Sequence, residues 1–281
     1  METREFAEEN EALIRLALEE DIGPGDVTTD ALIEPDRAAT AVIFAKEPLI
    51  LAGLHVAQKV FTTLDPTALF DTTFQDGDRV ESRDEVLIVQ GKFRALLTGE
   101  RTALNFLQRL SGISTLTRQY VGQVAGSKVR LTDTRKTTPG WRRLEKYAVK
   151  IGGGDNHRFG LYDGILIKDN HVVACGGIRE AVDKVRNGRP PLLPIEVEVS
   201  DLNQVQEAIE SSVDIIMLDN MSLNDIHKAV SMIKGRALIE VSGGVTLDTL
   251  GELANTGVDI ISVGALTHSA RAVDISMRVV V

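Results

Sequence analysis

Between Lys128 and Ala265 the chain repeats one pattern six times: a short β-branched apolar run that ends in a polar or glycine element. The runs are KVRLTDTRK from Lys128, DGILIKDNH from Asp163, LPIEVEVS from Leu193, DIIMLDN from Asp214, ALIEVSGG from Ala237 and DIISVGA from Asp259. The last four start roughly 20 to 23 residues apart, the length of one strand–helix unit. Between them lie LNQVQEAIESS, LNDIHKAVSMIK and LDTLGELANTG, whose apolar residues recur near the helical period; the last is expected to close on Gly257 as a helix C-terminal glycine. Alternation of this kind predicts a parallel α/β barrel, in which the carboxyl ends of all strands converge on one face. The elements brought to that face are then Asp133 to Lys136, Lys168 to His171, Glu198, Asp219 with Asn220, Ser242 to Gly244, and Gly264.

The first hundred or so residues follow a different rule. A helical amino terminus runs into DIGPGDVTTD, where Gly23, Pro24 and Gly25 exclude regular structure. ATAVIFAKEPLILAG and DEVLIVQGKF alternate with period two, as strands of a mixed or antiparallel sheet do, and AQKVFTTL between them is helical. The long helical stretch RALLTGERTALNFLQRLSGISTLTRQYVGQV leads to the barrel, and the terminal DISMRVVV alternates like a strand that returns to the first sheet. With 281 residues, the chain has room for two domains. The expected division is residues 1–112, residues 113–270, and a returning strand over residues 271–281.

At 43% hydrophobic and 26% charged residues, the composition excludes disordered, collagenous and membrane classes. No apolar run approaches the roughly 18 to 20 residues a membrane span needs, and METREFAEENEALIRLALEED is acidic and amphipathic, unlike a secretion signal. A cytoplasmic location is expected. Cys175, the single cysteine, rules out a disulfide framework or a multi-cysteine metal centre. The net charge of −10 argues against nucleic acid or an anionic membrane as partner. Yet ten bases and three acids fall between Arg118 and Gly160.

Where those bases fall decides their meaning. Arg142, Arg143, Lys146 and Lys150 read mostly as a solvated helix face. Arg135 and Lys136 leave one strand together, Gly152 to Gly154 return the chain to His157 and Arg158, and Lys168 ends the next strand. Converging cations of this kind suit a small ligand bearing several negative charges. The glycine turns VSGG and SVGA, at the last two strand ends, suit a phosphate cradle, with THSARAV as the expected helix start beside it. Glu196 and Glu198 share a strand face, and Asp219 ends the next strand. Carboxylates opposite a phosphate site either hold a divalent metal or stabilise a developing cationic sugar; an ion pair of Glu198 with Lys168 is the structural alternative. These features suggest transfer between a carboxylated acceptor and a phosphorylated sugar, with Schiff-base chemistry at Lys168 and non-catalytic metabolite sensing as the competing readings.

The motifs EEDIGPGDVTTD, LTGERTALNFLQRLSGIST, DTRKTTPGWRRLEKYAVKIGGGDNHRFGLYDGILIKDNH, IEVEVS, IIMLDN, VSGG and SVGALTHSA together resemble the quinolinate phosphoribosyltransferase family over nearly the whole chain. The resemblance implies an amino-terminal α/β sandwich domain plus a carboxy-terminal incomplete parallel α/β barrel with fewer than eight strands. It implies a pentosyltransferase of NAD synthesis that turns quinolinate and phosphoribosyl pyrophosphate into nicotinate mononucleotide, pyrophosphate and carbon dioxide with Mg²⁺. Carried over, Arg135, Lys136, His157, Arg158 and Lys168 bind the dicarboxylate and pyrophosphate, with Thr134 beside them. Glu198 and Asp219 flank the ribose and hold metal through substrate or water. Ser242, Gly243, Gly244, Val263, Gly264, Ala265 and His268 surround the 5′-phosphate. Lys136, Lys168, Glu198 and Asp219 are the implied catalytic groups. Arg101 is implied to enter the neighbouring subunit's site, in a homodimer or a trimer of dimers.

Overall fold

The computed structural model describes residues 10–188 and 193–280, so the first nine residues of the amphipathic amino terminus lie outside the described ones. The chain divides into two compact units, one of residues 1–118, 138–153 and 269–281, the other of residues 119–137 and 154–268.

In the first unit the sheet is fully antiparallel. Its strands are β1 (Ala38–Ala45), β3 (Leu69–Asp71), β5 (Glu85–Lys92) and β12 (Ile275–Val280), in the order β12-β1-β5-β3, while the short β2 (Leu49–Ile50) and β4 (Arg79–Val80) pair separately. The terminal alternating segment therefore lies against β1, with Ile43 opposite Met277. Gly23 to Gly25 do break the chain after helix Glu11–Ile22, but the sequence DVTTD does not stay a turn. Helix Val27–Leu32 starts there because the Asp26 carboxylate accepts the Thr29 N–H at 3.0 Å.

Helix Phe93–Gln123 is amphipathic, burying Leu96, Ala103, Leu107 and Leu110 at three-, four- and seven-residue steps. Its SGIST segment carries the hydroxyls that hold β2. Ser111 accepts the Ala52 N–H at 3.0 Å, Thr115 accepts the Ile50 N–H at 2.8 Å, and Ser114 donates to the Ile50 carbonyl at 2.6 Å. Helix Arg142–Ile151 departs from the expected solvated face. Arg143 and Lys150 are exposed, but Lys146 is 1% exposed, because this helix is buried around most of its circumference, at Leu144, Glu145, Ala148 and Val149 as well. Glu145 is fully buried and accepts from Arg109 at 2.8 Å and from the Thr138 N–H at 3.0 Å.

In the second unit all six expected strands form: β6 (Arg130–Thr132), β7 (Ile165–Ile167), β8 (Ile195–Val199), β9 (Ile215–Asp219), β10 (Leu238–Ser242) and β11 (Ile260–Ser262). Every ladder is parallel, in the order β6-β11-β10-β9-β8-β7. Six strands with β6 and β7 at the two ends make the incomplete α/β barrel that the sequence predicts. Helices Leu202–Glu210, Leu223–Ile233 and Leu247–Ala254 start on the capping side chains of Asp201, Ser222 and Thr246. The last helix ends at Ala254 with Asn255 as its cap, so Gly257, at φ +93°, serves the turn beyond it rather than the helix end. No helix among the described residues is long and apolar enough to cross a membrane.

Replacing Arg109 by Met strands the buried Glu145 carboxylate, and the expected loss is about 3 kcal/mol or more. Urea unfolding checks this; a loss under about 1 kcal/mol, the size of an exposed pair, contradicts the buried-pair account.

Candidate active site

The carboxyl ends of the barrel strands open into a cavity of about 540 Å³. β6 delivers Thr134, Arg135 and Lys136 to its wall, and the irregular segment after Gly154 delivers His157 and Arg158. Lys168 comes from the end of β7, Glu198 from β8, Asp219 from β9, and Ser242, Gly243 and Gly244 from β10. Four cations therefore share one wall system with two strand-end carboxylates and a glycine turn.

Several expected residues stand elsewhere. Arg101 is exposed on helix Phe93–Gln123 in the first unit and is not among the lining residues. Val263 is buried, and Val263, Gly264, Ala265 and His268 do not line the cavity. Gly264 instead lies directly beneath the wall: a Cβ there would stand 3.0 Å from Lys136 Cδ and 3.1 Å from His268 Nε2. THSARAV does not start a helix. The helical turn is Ala265–His268, and the chain leaves it irregular, while Thr267 Oγ1 donates to the Lys136 carbonyl at 2.8 Å. Thr134 is likewise committed to shaping the loop, its hydroxyl accepting the Lys136 N–H at 3.0 Å.

The cations are only partly neutralised within their own wall. Arg135 Nε is buried with no hydrogen-bond partner among the described residues. Arg158 donates through Nη1 to the Gly164 carbonyl at 3.0 Å, and its pKa is lowered by burial and then by the like charge of Arg135. Lys168 Nζ stands 3.8 Å from Glu198 Oε2, so the ion pair considered from sequence is present, though long and half exposed on the lysine side. Burial pushes the Glu198 carboxyl up, and the charges of Asp219 and Asp169 add to that, while Lys168 opposes it. Two strand-end carboxylates facing one polar cavity have the hard-oxygen chemistry of a divalent cation site.

The phosphate-type turn is shaped by Asn220. Gly243 and Gly244 have φ of +87° and +62°, and a Cβ on Gly243 would fall 2.3 Å from Asn220 Oδ1. Asn220, itself at φ +52°, donates its backbone N–H to the Ser242 carbonyl and its amide to Asp219 Oδ2 at 2.9 Å.

Beneath the cations lies a layer that sequence reasoning reached only in part. Glu240 lines the cavity together with Leu166, Met217 and Ser262. The signal for it was present: Glu240 stands two residues before Ser242, as Glu196 stands two before Glu198, and period-two faces apply to both strands. His157 Nε2 lies 3.3 Å from Glu196 Oε2 and 3.4 Å from Glu240 Oε2. Burial opposes the imidazolium and the two carboxylates favour it, while Nδ1, which takes the Arg158 N–H, cannot also carry a proton; burial also raises the Glu196 carboxyl. Among the described residues these three are the only group of three or more histidine, cysteine, aspartate or glutamate side chains close enough to share a metal. Ring chemistry speaks against that use. His157 Nδ1 accepts the Arg158 N–H at 2.8 Å, so the ring proton sits on Nε2, and no lone pair faces the carboxylates.

Comparison with known proteins bears on the same residues. The family model described as quinolinate phosphoribosyl transferase, N-terminal domain, matches residues 26–111, and that described as the C-terminal domain matches residues 113–278. The chain is 44% identical over 260 residues to a Bacillus subtilis protein named probable nicotinate-nucleotide pyrophosphorylase (carboxylating), covering 92% of this chain and 90% of that one. It is 41% identical over 286 residues to quinolinate phosphoribosyltransferase (decarboxylating) 1b of Nicotiana tabacum, covering 95% and 81%. The solved structure of NadC from Streptococcus pyogenes superposes with a TM-score of 0.93 at 45% identity, covering 96% of this chain and 95% of that one.

Replacing Gly243 by Ala strains a left-handed residue and displaces Asn220. Affinity for inorganic phosphate should fall about tenfold, roughly 1.4 kcal/mol, with the circular dichroism spectrum unchanged. Calorimetric titration measures this, and unaltered affinity removes the turn from the anion site.

Proposed function

The chain belongs to the quinolinate phosphoribosyltransferase family, and from that premise we propose that the cavity at the barrel mouth is where its two anionic substrates meet. The protein is a phosphoribosyltransferase of NAD synthesis: it converts quinolinate and phosphoribosyl pyrophosphate to nicotinate mononucleotide, with release of pyrophosphate and carbon dioxide. The observation that carries the site assignment is the set of four cations, Arg135, Lys136, Arg158 and Lys168, around one cavity, with the buried Arg135 Nε lacking a partner.

Arg135, Arg158 and Lys168 bind the quinolinate carboxylates, and Lys136 takes the pyrophosphate. Each charge-assisted hydrogen bond contributes about 1.5 to 3 kcal/mol, so three or four supply most of the ~8 kcal/mol of a micromolar complex. The Ser242–Gly244 turn holds the 5′-phosphate through backbone N–H groups, which fixes the ribose with C1 between the two walls. As pyrophosphate leaves, positive charge develops on the ribose; Glu198 and Asp219, already aimed into the cavity, stabilise it while the quinolinate nitrogen approaches C1. Glu198 and Asp219 are the residues that would hold a Mg²⁺ ion, which when bound would neutralise pyrophosphate charge. Once the ring nitrogen is alkylated it is cationic, and the ring itself stabilises the carbanion left by the departing carboxylate. Solvent water supplies the proton that replaces carbon dioxide at that carbon, and no residue is assigned to deliver it. His157, with both ring nitrogens engaged by protein groups, is not placed as a free base. A Schiff base at Lys168 is disfavoured, since that side chain is half exposed and faces Glu198, whereas a nucleophilic amine needs desolvation.

Arg101, exposed on its helix, completes the neighbouring subunit's site in a homodimer, alone or three to a hexamer. The lone cysteine, which leaves no disulfide framework, supports a cytoplasmic enzyme.

Purified protein with Mg²⁺ and both substrates should form nicotinate mononucleotide, followed by absorbance; zero turnover overturns the assignment. Arg135→Ala and Lys168→Ala should each weaken quinolinate binding by more than about 1.5 kcal/mol with little change in unfolding temperature, and undiminished affinity returns those side chains to a solvated face. Mixing Arg101→Ala chains with Lys168→Ala chains should restore activity, because one hybrid site is intact; recovery no better than either parent argues against a shared site.

A further inference from the structure

We propose that three buried carboxylates beneath the cavity, Asp133, Glu196 and Glu240, are positioning residues that hold the 156–158 segment and so aim Arg158 at the carboxylated substrate. The proposal rests on the quinolinate reading above and adds a second layer to it.

Residues 156–158 belong to no helix or strand, so no backbone ladder fixes them. Their place is set by side chains from three separate strands. Asp133, fully buried just past β6, accepts the His157 N–H at 2.9 Å through Oδ1 and the Asn156 amide at 2.7 Å through Oδ2. Glu196 of β8 and Glu240 of β10 receive the His157 Nε2–H, and His157 Nδ1 in turn accepts the Arg158 N–H. The imidazole is thus a rigid strut: carboxylates grip one end, and the backbone of Arg158 hangs from the other.

Arg158 requires such a strut. Its partly buried guanidinium is opposed by the like charge of Arg135 and favoured by Glu196 and Asp163, so its reach depends on where its backbone is held. Below the ring there is also room to move. A second cavity of about 200 Å³ lies under the first and is lined in part by Asn156, His157, Glu196 and Glu240. Removal of the carboxylates would let the imidazole drop into that space and take Arg158 with it. Closing a barrel does not require this layer, since apolar side chains of similar volume would fill it without the desolvation penalty of buried carboxylates. Glu196 Oε1 and Glu240 Oε1 are buried with no hydrogen-bond partner, the unrelieved cost of placing charge there.

Steady-state kinetics of Glu240→Ala, Glu240→Gln, His157→Ala and the Glu240→Ala/His157→Ala double variant test the proposal. Glu240→Ala should raise the KM for quinolinate about tenfold or more while leaving that for phosphoribosyl pyrophosphate within about twofold. Glu240→Gln, which keeps an acceptor for Nε2–H, should restore quinolinate KM to within about threefold of the parent. The double variant should be no worse than His157→Ala alone, because Glu240 acts through that ring. Unchanged quinolinate KM in Glu240→Ala, or additive effects in the double variant, overturns the proposal. Should Glu240→Ala fail to fold, long-range proton–nitrogen spectra of the unmutated protein decide it, with the His157 signal assigned by its loss in His157→Gln. A proton on Nε2 and a bare Nδ1 is the expected result, and a proton on Nδ1 overturns the strut. Absence of turnover in the unmutated protein would instead defeat the functional reading itself, so the two failures are distinguishable.

Discussion

Like-charge repulsion inside one polar cavity is the constraint around which the barrel's upper half is built. Arg135, Lys136, Arg158 and Lys168 open onto the same space, and the lowered pKa of Arg158 records both its partial burial and the proximity of Arg135. An empty pocket of this kind tends to spread. What keeps it together are anchors below and beside it: Asp133, Glu196 and Glu240 under the 156–158 segment, Glu198 beside Lys168, and Thr267 on the Lys136 carbonyl. The mutual repulsion of the cations is relieved when an anionic substrate binds among them.

The glycine turn obeys a different constraint, that of space. Gly243 has its conformation because Asn220 occupies the volume a Cβ would need, and the same Asn220 donates to Asp219. The glycine turn after β10 and the carboxylate that ends β9 are thereby one mechanical unit, rather than two features that happen to adjoin. Steering of this sort comes from hydrogen bonds between strand ends, which only a parallel sheet brings into one plane.

Much of this was legible in the chain itself. The six apolar runs with polar ends became β6 to β11, and eleven of the expected site residues line one cavity, because strand-end position and the common direction of parallel strands are both properties of sequence order. What was not legible depended on the third dimension. Lys146 sits on a helix of charged residues yet is buried, since packing around the helix rather than composition decides exposure. THSARAV looked like a helix start, but the turn forms one step earlier, at Ala265–His268. Glu240 escaped notice as one acidic residue in an apolar strand, although its spacing from Ser242 matched that of Glu196 from Glu198. That His157 would spend both ring nitrogens on the protein follows from no pattern of spacing, only from where β8 and β10 put their carboxylates.

The central claim is that the cation cluster reads the charge of the carboxylated substrate. Its most direct test is calorimetric comparison of quinolinate with nicotinate, the same ring bearing one carboxylate instead of two. If both carboxylates meet cations, quinolinate binds at least about tenfold more tightly, the equivalent of one charge-assisted hydrogen bond. Equal affinities would contradict the account.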